Sequence, residues 1–99
     1  MKEITMKELA EKLKNGEKLN MIDVREDEEV AQGKIPEARH IPLSELPERV
    51  NELDKNQPYY MICRSGGRSG QACSILKAQG YDVVNVAGGM LDWEDEVEK

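Results

Sequence analysis

Ninety-nine residues with 20 acidic and 14 basic side chains carry a net charge of −6, which argues against nucleic acid or an anionic membrane as partner. At 38% hydrophobic and 34% charged, with no Phe, the chain allows one domain whose small core is built from Ile, Val, Leu, Met and Tyr. Such a chain buries about 60 to 65% of its unfolded surface.

No apolar run reaches the roughly 18 to 20 residues of a membrane span, and Met1-Lys2-Glu3 lacks the apolar region of a signal peptide. Two cysteines without secretory features read as reduced thiols, so the expected location is the cytoplasm. Thr5 and Glu8 have capping-box spacing and Ile4 with Leu9 that of a hydrophobic staple, which starts a helix at Met6. Leu9, Ala10 and Leu13 give it one apolar side, and Asn15-Gly16 ends it.

Leu19-Asn20-Met21-Ile22-Asp23-Val24-Arg25 reads as a buried strand that turns polar at its end, as a parallel strand does at its carboxyl edge. Asp23 and Arg25, two apart, leave one face. A brace, ion-paired or bonded to backbone, is the preferred role, ahead of a direct substrate contact or a solvated pair. The run Glu26-Asp27-Glu28-Glu29 opens a short helix and reads as a solvated acidic face. Gly33-Lys34-Ile35-Pro36 breaks it, and Ala38-Arg39-His40-Ile41-Pro42 makes a short strand. Residues 44–53 form an amphipathic helix through Leu46, Val50 and Leu53, with Pro47 in its first turn, and residues 54–58 turn into the strand Tyr59-Tyr60-Met61-Ile62.

That strand runs into Cys63-Arg64-Ser65-Gly66-Gly67-Arg68-Ser69 and a helix that begins near Ser69. A nucleophile there emerges at the carboxyl edge of the sheet, where open α/β folds bind ligands. Gly66 and Gly67 let the loop take left-handed dihedrals and turn successive N–H groups toward one centre, the sulfur. Those amides, the helix N-terminus and the nearby Arg64 and Arg68 favour thiolate over thiol. His40 is the single histidine, and it is not favoured as a general base, because a thiolate formed by its own loop needs none. No metal-ligand cluster is evident in the sequence, and a Walker loop would need Gly-Lys-Ser/Thr at its end.

Ala72, Cys73, Ile75, Leu76 and Gln79 continue the helix to a Gly80 cap, with Gly70 loosening its first turn. Cys73 falls on the core face, where packing is preferred to a redox bond with Cys63. Tyr81-Asp82-Val83-Val84-Asn85-Val86 is a further buried strand, and Gly88-Gly89 turns into a short helix holding Leu91 and Trp93, the latter a lid on the core. Asp92, Glu94, Asp95, Glu96 and Glu98 crowd its end, so fraying is expected. Alternating strands and helices predict an α/β fold with a mostly parallel sheet and helices on both faces.

Cys63, with Arg64 at +1 and Arg68 at +5, resembles the active loop of the rhodanese-like sulfurtransferases. Asp23-Val24-Arg25, the segment 38–42 (after Glu37, where that family usually has Gly) and Gly88-Gly89 followed by an aromatic are similar too, so the resemblance spans nearly the whole chain. It implies one domain over residues 1–99, with about five short strands and helices on both faces. It also implies that Cys63 takes a sulfane sulfur from a small anionic donor such as thiosulfate, holds it as a persulfide and passes it to a thiol, cyanide or protein acceptor. No metal or separate cofactor is implied. Residues Arg64, Ser65, Gly66, Gly67, Arg68 and Ser69 would form the cradle, with Arg64 and Arg68 binding the anion or fixing the loop, and the sulfur reachable at an open mouth. A monomer is expected. A sulfur-relay or regulatory module docking to a partner is the second reading. A Cys-dependent phosphatase is the third, disfavoured because its loop places five residues between Cys and Arg where this one has four.

Overall fold

The computed structural model describes residues 2–99; Met1, part of the start weighed against a signal peptide, lies outside them. Five parallel strands, β1 (Lys2–Thr5), β2 (Met21–Asp23), β3 (Arg39–His40), β4 (Pro58–Ile62) and β5 (Asp82–Ala87), form one sheet in the order β1-β5-β4-β2-β3. Helices α1 (Met6–Lys14), α2 (Asp27–Val30), α3 (Leu46–Arg49) and α4 (Gly67–Ala78) connect them, with 3₁₀ turns at Val50–Glu52 and Gly89–Asp92. Among the described residues no helix is long and apolar enough to cross a membrane.

Alternation along the central strand divides the core in two, because successive side chains leave opposite faces. Tyr59, Met61 and Cys63 of the β4 run pack with Leu46 of α3 and Ala72, Cys73 and Leu76 of α4. Ile62 faces the other way and packs with Met6 and Leu9 of α1, under Met90 and Trp93. Burial, with Glu3 next, pushes the Cys73 thiol up to about 11, in keeping with a packing role.

The Thr5 capping box forms as its spacing predicts: Glu8 N–H donates to Thr5 Oγ1 at 3.1 Å and Thr5 N–H to Glu8 Oε1 at 2.8 Å. Three expectations need correction. Residues 2–5, where the sequence shows only a helix start, form the edge strand β1, whose side chains are largely exposed and whose pairing lies wholly with the distant β5. The helix expected over 44–53 is α3 followed by a 3₁₀ turn, and the Val50 carbonyl within it accepts from Tyr81 Oη at 2.9 Å. The acidic end is docked instead of frayed, since Glu98 exchanges backbone hydrogen bonds with Lys34 at 2.8 and 3.0 Å. Val97 covers Gly33 there so closely that a Cβ would come 2.8 Å from Val97 Cγ2.

Because every strand runs the same way, the carboxyl ends collect at one edge of the sheet. Asp23 and Arg25, His40, the Cys63 loop and Gly88-Gly89 are drawn from four different strands and meet there.

Candidate active site

Cys63 follows the last residue of β4, and Gly66, at φ +110, turns the chain into α4 two residues earlier than expected. The Gly66 N–H points at Cys63 Sγ at 3.0 Å, and Ser69 Oγ lies 3.4 Å from it. The loop carbonyls are engaged elsewhere. Cys63 O accepts from Met90 N–H at 2.9 Å, Arg64 O from Leu91 N–H at 3.0 Å, and Gly66 O from Gly70 N–H at 3.1 Å and Asn85 Nδ2 at 3.2 Å. Amides therefore face the sulfur while carbonyls face away, as an anion requires. Burial raises the thiol pKa, but the Ser69 hydroxyl and the amides of Ser69, Gly66 and Ser65 outweigh it, and the net shift is downward.

The expected open mouth is corrected, since Cys63 is only 1% exposed. Its side chain leaves β4 toward α4, and the loop that supplies the amides also wraps over it.

The two arginines differ. Arg68 donates to both oxygens of Glu29 on α2, at 2.5 and 2.7 Å. The acidic run is thus not simply a solvated face, and Arg68 is a loop-fixing residue whose charge is met by a carboxylate. Arg64 is exposed, forms no ion pair among the described residues, and lines a cavity of about 300 Å³ with Glu28, Gln32 and Leu91. Arg68 holds the Glu29 carboxyl down at about 2, from an ordinary 4.5. A carboxylate with a depressed pKa contributes stability that is complete above 4.5 and lost as the pH falls toward 2. Glu29→Gln is accordingly expected to flatten the acid limb of a Tm-against-pH curve between those values and leave Tm at pH 7 lower than wild type. Parallel curves would refute the pairing.

Asp23 and Arg25 form the brace. Arg25 Nε donates to Asp23 Oδ1 at 3.0 Å and Nη2 to Oδ2 at 2.8 Å, while Nη2 also reaches the Gly33 carbonyl at 2.8 Å. His40 Nε2 lies 2.6 Å from the Arg25 carbonyl, so that nitrogen carries the proton and donates to the carbonyl. Its ring is thereby tied to the brace.

Three groups at the site had no role in the sequence reading. Glu29 was concealed in a charge run. Asn85 interrupts an otherwise apolar strand, and that interruption was the available signal. Gly88-Gly89, read only as a turn, brings Met90 and Leu91 under the loop, with Gly89 so close that a Cβ would stand 2.3 Å from Cys63 O.

Residues 5–96 match the family described as the rhodanese-like domain, and the chain belongs to that family. It is 52% identical over 96 residues to YtwF of Bacillus subtilis (strain 168), itself provisionally named a sulfurtransferase, covering 97% of this chain and 93% of that one. PspE of Escherichia coli (strain K12), named a thiosulfate sulfurtransferase, is 42% identical over 73 residues, covering 72% and 70%. The crystal structure of a rhodanese-like domain protein from Staphylococcus aureus matches with a TM-score of 0.93 at 45% identity, covering 99% and 97%.

Proposed function

We propose that this protein is a cytoplasmic sulfurtransferase in which Cys63 carries the sulfur, with thiosulfate as a donor. The observation that carries the reading is the polarity of the loop: the Gly66 N–H lies on Sγ at 3.0 Å with Ser69 Oγ 3.4 Å away, while the carbonyls of Cys63, Arg64 and Gly66 are bonded elsewhere. The names of YtwF and PspE support the reaction class, and that of PspE the donor.

The thiolate attacks the outer sulfur of thiosulfate. The Sγ–S bond forms as the bond to the oxidised sulfur breaks, and sulfite leaves with the electron pair. The persulfide anion is held by the same donors. An acceptor such as cyanide then attacks the outer sulfur, and the pair of the Sγ–S bond returns to Cys63. Arg64, exposed beside the loop, attracts the donor anion, while Arg68 keeps the loop in place.

Incubation with thiosulfate is expected to add the mass of one sulfur atom, which cyanide removes as thiocyanate, and Cys63→Ser is expected to abolish both. Mass gain with negligible turnover would favour the relay module. No gain, together with cleavage of a phenyl phosphate, would overturn the proposal in favour of the phosphatase.

A further inference from the structure

Asn85 lies in the middle of β5, is 5% exposed, and is the one polar residue between Val83 and Val86. Its side chain spans three elements. Nδ2 donates to Gly66 O at 3.2 Å and to Glu3 Oε2 of β1 at 3.0 Å; Oδ1 accepts from Ser69 Oγ at 2.5 Å. Two acceptors on one side and a hydroxyl on the other leave a single consistent orientation for the amide. Gly66 and Ser69 also flank the sulfur: the Gly66 N–H lies 3.0 Å from Cys63 Sγ and Ser69 Oγ 3.4 Å from it, although the one Ser69 proton goes to Asn85.

Neither residue is fixed as firmly without it. Gly66 stands in a left-handed conformation that glycine leaves easily, and its carbonyl has only the Gly70 N–H besides Asn85. Ser69, completely buried, would be free to rotate its hydroxyl among staggered positions. A buried primary amide in a strand where its neighbours are valines costs stability unless it is fully bonded. Packing alone does not explain the choice: a Cβ added at the facing Gly70 would sit 3.6 Å from Nδ2, ordinary contact distance.

We propose that Asn85 is a positioning residue for sulfur transfer: by holding the Gly66 carbonyl it aims the Gly66 N–H at Cys63, and by taking the Ser69 proton it fixes that hydroxyl oxygen beside the sulfur. The inference rests on Cys63 being the sulfur carrier. The charged groups of the elements around this cluster are Glu3 on the amide, Arg64 and Arg68 in the loop, and Glu29 of α2, which Arg68 holds. Substituting Asn85 by a neutral residue leaves all four in place.

The test uses Asn85→Val, which keeps strand propensity and volume, beside Asn85→Ala. Iodoacetamide alkylation of Cys63 is followed against pH in a Cys73→Ser background, so that one thiol reports. We expect both variants to move the alkylation midpoint up by roughly half a unit or more, the size of a weakened hydrogen bond to the charged form. Below the midpoint that is a loss of about threefold in thiolate fraction and in thiosulfate turnover. A Tm loss with an unmoved midpoint would make Asn85 merely structural and overturn the proposal. A lower midpoint would overturn it too, because the Ser69 proton that Asn85 keeps from the sulfur would then outweigh the Gly66 N–H that it aims. Should the parent protein take up no sulfur from thiosulfate, the sulfur-carrier reading fails instead, and the alkylation midpoints still decide the role of Asn85.

Discussion

Asp23→Ala is expected to cost about 3 to 5 kcal/mol, the usual consequence of removing one partner from a buried ion pair. Asp23 is 0% and Arg25 6% exposed. With Asp23 gone, the Arg25 guanidinium stays under the sheet edge with the Gly33 carbonyl but without a counter-charge. A domain of this size has only about 5 to 15 kcal/mol in total. The variant should therefore show a urea midpoint reduced by about a fifth or more. Asp23→Ala combined with Arg25→Met should recover much of the loss, because no unpaired charge remains. A single variant within about 1 kcal/mol of wild type would show that water reaches the pair. Activity should fall with the brace, since Arg25 leads directly into α2, whose Glu29 holds Arg68 of the sulfur loop.

Gly89→Ala should separate activity from stability. At φ +50, alanine is strained by about 1 to 2 kcal/mol, and its Cβ would stand 2.3 Å from Cys63 O and 2.7 Å from Arg64 O. Those are backbone atoms and cannot turn aside as a side chain would. The loop must shift, and the amide geometry around the sulfur shifts with it. A displacement of about 1 Å at a reacting centre can reduce turnover by roughly 100-fold. Gly16→Ala is the control, with φ +83 and nothing within 4 Å of the added Cβ. It should lose only the stability that the φ strain costs and keep its turnover. Equal turnover in the two variants would remove the Met90–Leu91 clamp from any account of the loop.

What the sequence by itself determined is what short spacing can specify. The Thr5–Glu8 box, the strand, glycine loop and helix around Cys63, and the Asp23–Arg25 pair each join residues within six positions, and each forms, the helix starting two residues early. Alternating apolar strands with helical segments also announced a parallel sheet, and with it the edge where the site would lie. Only the tertiary structure decided the rest. Glu29 meets Arg68 across 39 positions, Asn85 meets Glu3 across 82, and Glu98 folds back on Lys34, so the acidic run became a latch, a strand residue became a clamp and a tail expected to fray became docked. The exposure of the sulfur belongs with these, because alternation along β4 sends Cys63 into the α4 side of the core while the loop closes over it. Local signals carry the conformation of a segment, whereas which distant polar group satisfies a buried donor or charge depends on how the strands are ordered, and no spacing in the chain records that order.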